Sequence, residues 1–234
     1  MTLVTSPSKL IEATGLDKIY LRGYEEVVAL RNVHLSVNPG EFIVIIGPSG
    51  GGKSTLLHLL GGIDRPTRGE LLINSIDLVS ANEAALTRFR RDNIGFVFQF
   101  YNLLPSLNAL DNVILPLLAR GLSWKTSRQL GAAMLDQVGL THRQKHTPGQ
   151  LSGGEQQRVA IARAMVLEPC MVLADEPTGD LDSASARSII SLMLDLNQRL
   201  NMTFIIATHN LDLVKEAGRA YQLVDGSLTN LPIG

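Results

Sequence analysis

The chain contains the stretch Gly47-Pro48-Ser49-Gly50-Gly51-Gly52-Lys53-Ser54-Thr55. One apolar run, residues 42–46, precedes this stretch, and a second, residues 56–60, follows it. The order predicts a buried strand, a glycine-rich loop and a helix. In that setting the spacing G-x-x-x-x-G-K-[ST] is the P-loop. Its glycines let backbone N–H groups approach phosphate oxygens, and the helix N-terminus adds the positive end of its dipole.

Three side chains of the P-loop have separate expected roles. Lys53 supplies a full positive charge for the β- and γ-phosphates of a nucleotide. Ser54 can place its hydroxyl on Mg²⁺, and Thr55 can reach the α-phosphate. A P-loop alone is compatible with kinases, GTPases, helicases and transport ATPases, so the rest of the chain has to distinguish among them.

Size and composition restrict the class of protein. The chain has 234 residues, of which 45% are hydrophobic and 18% charged, enough for one α/β domain or for one domain with a subdomain. The net charge is −1 and no basic block is present, which argues against a nucleic-acid partner. The single cysteine, Cys170, excludes an internal disulfide and fits a reducing compartment.

The sequence predicts a protein that reaches a membrane only through a partner. Residues 1–11 have no signal-peptide pattern. No uncharged run approaches the roughly 20 residues that a membrane-spanning helix needs. We therefore expect a cytoplasmic protein.

The remaining sequence divides into a core and an insertion. Strand-like patterns at Leu10–Leu21 and Val27–Val37 predict a small antiparallel sheet beside the nucleotide. Tyr20 in the first strand could stack on adenine or be an ordinary strand aromatic. Leucines at helical spacing and the lack of strand-like runs predict a helical insertion at residues 99–167. The core then comprises residues 1–98 and 168–234, with its last strand at Tyr221–Val224.

Polar residues follow three of the predicted buried strands. Asp175 and Glu176 end the apolar run of residues 171–174, Gln99 follows residues 94–98, and His209 follows residues 203–208. The carboxyl ends of strands are where open α/β sheets place ligand-contacting groups. In P-loop enzymes the first acid, Asp175, holds the Mg²⁺ shell. Glu176 can then act as the general base that polarises an attacking water.

A second glycine-containing motif begins another helix. Residues 151–158 read Leu-Ser-Gly-Gly-Glu-Gln-Gln-Arg before a helix predicted at Val159–Leu167. Ser152 and Glu155 form a capping-box pattern, but the pattern does not explain Gly153 and Gly154, which cost helix stability. The pair indicates a second anion site. A single nucleotide is not expected to contact both the P-loop and this second anion site of the same subunit. We therefore expect a head-to-tail homodimer in which each P-loop faces the partner's Leu151–Glu155 segment.

Six motifs in order resemble those of ATP-binding cassette (ABC) ATPases over essentially the whole chain. They are Walker A at 47–55, the Q-loop at Gln99, the signature at 151–156, Walker B at 171–176, the D-loop at 179–182 and the H-loop at His209. The resemblance implies an L-shaped α/β fold, in which a RecA-like P-loop core carries an antiparallel β subdomain and an inserted α-helical subdomain. It also implies an ATPase that uses ATP and Mg²⁺.

The resemblance further implies roles for individual residues. Tyr20 would stack on adenine, and Gln99 would contact Mg²⁺ and water. The partner's nucleotide would be bound by the signature residues Ser152, Gly153, Gly154 and Glu155 and by Asp182 of the D-loop. Ser152 and Gly154 are expected at the γ-phosphate. His209 would hold the γ-phosphate and the attacking water.

Finer similarity links the chain to the branch that serves lipoprotein release, macrolide export and the cell-division ABC system. Residues 89–99, 102–105, 111–113 and 176–182 carry this similarity. Asp180 departs from the asparagine that the branch often has, and Gly51 departs from the common serine. The resemblance implies an integral membrane permease as partner and a location on the inner face of the cytoplasmic membrane.

Three alternative functions remain for comparison. The first is an ABC ATPase that pulls on a membrane protein without moving a substrate. A soluble ABC protein of DNA repair or translation would need an insertion or a second cassette, which the sequence lacks. The signature segment argues against a small-molecule kinase.

Overall fold

The computed structural model describes residues 9–232. Residues 1–8 and 233–234, assigned above to the core, lie outside the described part. Ten strands are present: β1 (Ile11–Arg22), β2 (Glu25–Val37), β3 (Phe42–Ile46), β4 (Arg68–Ile73), β5 (Ile76–Asp77), β6 (Ile94–Phe98), β7 (Met171–Asp175), β8 (Thr203–Thr208), β9 (Arg219–Val224) and β10 (Ser227–Leu231). The α-helices are α1 (Lys53–Leu60), α2 (Glu83–Asn93), α3 (Ala109–Ala119), α4 (Trp124–Gln137), α5 (Gly153–Met165), α6 (Ser183–Leu200) and α7 (Asp212–Glu216).

The first of the two sheets has four antiparallel strands, in the order β2-β1-β4-β5. The first residues of β1 and the last residues of β2 pair with each other. In these parts of the two strands buried and exposed residues alternate, as in a sheet with one face in solvent. The antiparallel sheet predicted from the sequence is thus confirmed.

The second sheet carries the P-loop. Its strand order is β10-β9-β3-β8-β7-β6, and all neighbouring pairs except β10 and β9 are parallel. Strand β3 lies between β9 and β8 and is buried along its whole length. Because parallel strands end at the same edge, this edge carries the P-loop, residue 175 at the end of β7, and residues 99, 176 and 209, which follow strands.

Two apolar clusters cover the two faces of this sheet. One cluster joins α3, α4, α5 and α6 to residues such as Val44 and Phe204. The other joins α1 and the antiparallel sheet to residues such as Ile43 and Ile45. Alternate residues of β3 therefore point into different clusters. Among residues 9–232, no helix is both long enough and apolar enough to cross a membrane.

Two sequence-based boundaries were wrong. Strand β9 is not the last strand, because β10 pairs antiparallel with it. Asp225 and Gly226 connect them with φ angles of 47° and 79°, the left-handed conformation that a tight hairpin turn needs. Helix α5 begins at Gly153 rather than at Val159. The reciprocal Ser152–Glu155 cap stabilises this earlier start despite the two glycines.

Helix α5 lies against β6 with almost no space between the two backbones. A Cβ on Gly95 would lie 2.3 Å from the backbone oxygen of Ala164. No side chain can yield at this contact, since the neighbouring atoms belong to the backbone. The close approach holds α5, the helix capped by Ser152, against the edge strand of the parallel sheet.

We expect Gly95→Ala to lower the free energy of unfolding by about 1–3 kcal/mol through overpacking. Gly149→Ala is the matched control, because a Cβ there meets no atom within 4 Å. The control should change stability by less than about 0.5 kcal/mol. Urea denaturation of both variants measures the difference, and equal stabilities would contradict the packing argument.

Candidate nucleotide-binding site

The P-loop opens into a cavity of about 310 Å³ at the carboxyl edge of the parallel sheet. Its lining residues are Val27, Val28, Ala29, Pro48, Ser49, Gly50, Gly52, Lys53, Ser54, Thr55, Asp175 and Glu176. The structure thus brings most predicted P-loop residues together with both acids at the end of β7. Sequence reasoning placed the antiparallel sheet beside the nucleotide but did not name these three residues of β2, because only the fold shows which part of the strand borders the loop.

Glycine is required at several P-loop positions for different reasons. Gly50 and Gly52 have φ angles of 77° and 101°, in the left-handed region that favours glycine. Gly47 is fixed by space instead, since a Cβ there would lie 2.1 Å from the carbonyl oxygen of Leu223. At Gly51 a Cβ would lie 3.1 Å from two carbonyl oxygens, and no positive φ demands glycine.

The side chain of Lys53 is folded into the loop. Its Nζ donates hydrogen bonds to the carbonyl oxygens of Gly47 at 2.7 Å and Pro48 at 3.1 Å. Nζ also lies 3.7 Å from Oε1 of Glu176, and only 7% of the side chain is exposed. A buried cation needs such partners. The arrangement concentrates positive charge where the loop can receive phosphate oxygens.

Asp175 lines the same cavity and has one unsatisfied carboxylate oxygen. Its Oδ1 is buried and has no hydrogen-bond partner among the described residues. An unpaired buried carboxylate oxygen is costly unless a cation or a donor reaches it. Mg²⁺ in phosphate-binding sites takes one or two carboxylates and keeps several waters. Asp175 and the nearby Ser54 hydroxyl fit that cation, although residues 9–232 hold no cluster of three or more His, Cys, Asp or Glu side chains.

Glu176 is held in a strained conformation beside His209. Its φ of 47° is uncommon for a residue with a side chain. Its Oε2 accepts hydrogen bonds from Thr208 Oγ1 at 3.1 Å and from the backbone N–H of His209 at 3.3 Å. The Nδ1 atom of His209 lies 2.9 Å from the same oxygen. The structure therefore brings together the predicted base and the predicted H-loop histidine.

Gln99 does not line the cavity. Its Nε2 donates to Oδ1 of Asp180 at 3.1 Å. Asp180, which the sequence marked as a departure from the family pattern, thus contacts the Q-loop of its own chain. The predicted contact of Gln99 with Mg²⁺ stays a prediction.

Tyr20 lies near the carboxyl end of β1, where it pairs with Val27 of β2, and does not line the P-loop cavity. Its hydroxyl donates to Oδ2 of Asp64 at 2.8 Å, and Lys18 Nζ lies 4.7 Å from its ring centroid. The residue is 37% exposed. Burial and the hydrogen bond to Asp64 raise the pKa of Tyr20, so the hydroxyl remains a donor at neutral pH.

The signature residues cap helices within their own chain. Glu155 N–H donates to Ser152 Oγ at 3.3 Å, while Ser152 N–H donates to Glu155 Oε2 at 2.8 Å. That backbone bond, together with Arg143, lowers the pKa of Glu155. In the same way Asp182 caps α6. Neither Asp182 nor residues 152–155 line the P-loop cavity of this chain.

Comparison with known proteins agrees with this geometry. The family model described as "ABC transporter" matches residues 30–179. The chain is 49% identical to "Lipoprotein-releasing system ATP-binding protein LolD" of Coxiella burnetii, over 94% of each chain. It is 47% identical to the protein of that name in Legionella pneumophila (strain Paris), over 94% of this chain and 96% of the relative.

A solved structure is similar over nearly the same length. The ATP-binding cassette MJ0796, a dimer in a post-hydrolysis state bound to ADP and Pi, matches with a TM-score of 0.85 and 41% identity. The match covers 95% of this chain and 99% of that chain. The family match, the relatives and the P-loop site agree, and this chain belongs to the ABC transporter family as one of its ATP-binding, ATP-hydrolysing subunits.

Proposed function

We propose that this chain is the ATPase subunit of a lipoprotein-releasing ABC transporter. The observation that carries the proposal is the 49% identity to a lipoprotein-releasing ATP-binding protein over 94% of both chains. Similarity at this level extends beyond the nucleotide motifs, which all ABC ATPases share. The alternative of a non-transporting mechanical complex has no comparable observation in its favour.

In this proposal the P-loop cavity binds the triphosphate of ATP. Backbone N–H groups of the loop and of the first turn of α1 donate to phosphate oxygens. Lys53 turns its buried ammonium from the carbonyls of Gly47 and Pro48 toward the β- and γ-phosphates. Thr55 reaches the α-phosphate, and Tyr20 stacks on adenine.

Asp175, Ser54 and Gln99 are the residues that would hold Mg²⁺. The orphaned Oδ1 of Asp175 supports this assignment. The cation, when bound, neutralises charge on the phosphates.

Glu176 has the position of a general base. Its carboxylate is oriented by Thr208 and by the backbone of His209, so that it can accept the proton of a water molecule. His209 holds Glu176 through Nδ1 and is exposed enough to reach the γ-phosphate. The oxygen of that water bonds to the γ-phosphorus as the bridging P–O bond to the β-phosphate breaks, which yields ADP and inorganic phosphate.

The signature helix supports a head-to-tail homodimer. Residues 152–155 lie at the N-terminus of α5 and outside the P-loop cavity of their own chain. The first N–H groups of a helix have no intrahelical acceptor. In the proposed dimer these groups, with Ser152, serve the γ-phosphate held by the partner subunit, and Asp182 of the D-loop lies at the same seam.

A groove between the core and the helical insertion supports a membrane permease as partner. The groove, of about 410 Å³, is lined by residues such as Phe96, Phe98 and Pro116. Phe100 is 73% exposed and Leu104 47% exposed in the segment that follows β6. A short cytoplasmic helix of the permease would dock here, which places this subunit on the inner face of the membrane.

We expect Glu176→Gln to bind ATP and to reduce kcat by at least about 100-fold, since the amide keeps the shape and loses the proton acceptor. Size-exclusion chromatography with ATP should show a trapped dimer. Lys53→Ala is the control, because it should lose ATP affinity and remain a monomer. A monomeric, fully active Glu176→Gln variant would exclude Glu176 as the base.

Ser152→Arg should abolish turnover and leave ATP binding to the monomer nearly unchanged. Loss of the cap also costs about 1 kcal/mol of stability. Ser123→Arg removes a comparable cap from α4 and should keep its turnover. Turnover and monomer affinity are measured for both variants. Equal losses of affinity and turnover in Ser152→Arg would assign the serine to its own chain's site.

Leu104→Arg should keep basal hydrolysis and remove stimulation by the permease. Leu130→Arg is the matched control, since Leu130 is similarly exposed on α4. The measurement uses proteoliposomes that contain the co-purified permease and a lipidated protein, with ATPase rate and lipoprotein release recorded together. Stimulated release by the Leu104 variant would contradict the docking site. Stimulated hydrolysis by the unaltered subunit without lipoprotein release would favour a mechanical function.

A further inference from the structure

Lys18, Tyr20 and Asp64 form a contact cluster that none of the known motifs includes. We call these three residues the Tyr20 cluster. Asp64 Oδ1 accepts from Lys18 Nζ at 2.7 Å, and Asp64 Oδ2 accepts from Tyr20 OH at 2.8 Å. Lys18 Nζ also lies 4.7 Å from the centroid of the Tyr20 ring. The three side chains thus restrain one another in position.

Asp64 ties the cluster to the helix that carries Lys53. Its backbone N–H donates to the carbonyl oxygen of His58 in α1 at 3.2 Å. Lys18 Nζ donates in addition to the carbonyl oxygen of Arg65 at 2.8 Å. Tyr20 belongs to β1 of the antiparallel sheet. The cluster therefore fixes the distance between the predicted adenine contact and the end of the P-loop helix.

The ammonium group of Lys18 is largely shielded from solvent, and the carboxylate of Asp64 is partly shielded. Only 12% of the Lys18 side chain and 32% of the Asp64 side chain are exposed. Burial acts to raise the pKa of Asp64, but hydrogen bonds from Lys18, Tyr20 and the backbone N–H of Arg65, together with the charge of Lys18, outweigh it and lower the pKa overall. The carboxylate is therefore charged at neutral pH, and its hydrogen bond from the tyrosine hydroxyl is charge-assisted.

The position of Lys18 leaves only one face of the Tyr20 ring for a base. An ammonium within about 6 Å of a ring centroid is attracted to the ring face and occupies it. The opposite face remains for stacking. The direction in which the ring presents that face is set by Asp64, which holds the hydroxyl end.

We propose that Lys18 and Asp64 are positioning residues for the adenine base, acting through Tyr20. This inference rests on the proposed role of Tyr20 in stacking on adenine. The two residues hold the ring so that a base stacked on its free face lies in line with a triphosphate in the P-loop. Loss of either residue weakens recognition of the base and spares the phosphate site and the chemistry.

The test compares two ligands of the full chain, ATP and inorganic tripolyphosphate, which has no base. Asp64→Ala and Lys18→Met should weaken ATP binding and raise the KM for ATP by about fivefold to tenfold. Their kcat and their affinity for tripolyphosphate should stay within about twofold of the unaltered protein. A merely structural role would weaken both ligands together, and that result would overturn the proposal.

Further variants test the path through Tyr20. Lys18→Arg keeps the cation and should restore the ATP affinity. Arg65→Met is the matched control, since Arg65 contacts Glu83 at 3.0 Å in the same loop, and it should change neither ligand. Tyr20→Phe should weaken ATP binding by itself but add little to Asp64→Ala, because the hydroxyl has then lost its carboxylate partner. Additive effects would contradict positioning by Asp64.

The variant Tyr20→Ala separates this proposal from the proposed role of Tyr20 as the adenine contact. If Tyr20→Ala leaves ATP affinity unchanged, Tyr20 is not the adenine contact, and both statements fail. If Tyr20→Ala weakens ATP binding while Asp64→Ala and Lys18→Met do not, the adenine contact stands and positioning by the cluster is wrong.

Discussion

The P-loop backbone lies directly against carbonyl oxygens of two neighbouring strands. A Cβ at Gly47 would approach Leu223 O to 2.1 Å, and a Cβ at Gly52 would approach Ala29 O to 2.4 Å. Leu223 belongs to β9 of the parallel sheet and Ala29 to β2 of the antiparallel sheet. The loop is therefore held between both sheets, and its N–H groups keep one geometry. The positions of Lys53 and of the acids at the end of β7 depend on this contact.

Helix α5 is connected to the carboxyl edge of the parallel sheet by a buried polar contact as well as by apolar packing. Gln157 of α5 is fully buried, and its Nε2 donates to the carbonyl oxygen of Pro177 at 2.7 Å. Pro177 directly follows Glu176. At its other end, α5 is packed against Gly95 of β6. A rotation of α5 would therefore displace the backbone at Pro177, one residue away from the proposed base.

The sequence predicted those parts of the fold that depend on local pattern. Buried strands, the P-loop, the Ser152–Glu155 cap and the acids at 175 and 176 are each visible within a few residues. Contacts between distant residues were not visible. Lys18 and Asp64 are 46 positions apart, and Gln99 and Asp180 are 81 apart. Strand β10 was missed for a different reason. Its residues are mostly exposed, so they carry no apolar signal, although Asp225-Gly226 is a recognised hairpin turn.

The hydrogen bond between Gln99 and Asp180 has a consequence for the polarity of the glutamine amide. A carboxylate at neutral pH has only acceptors, so it can satisfy the NH₂ end of Gln99 but not the carbonyl end. The carbonyl oxygen is thereby turned away from the D-loop. An asparagine at position 180 could present either a donor or an acceptor, and both orientations of Gln99 would be satisfied equally. The acidic residue thus removes a twofold ambiguity of the Q-loop side chain that an amide neighbour would leave open.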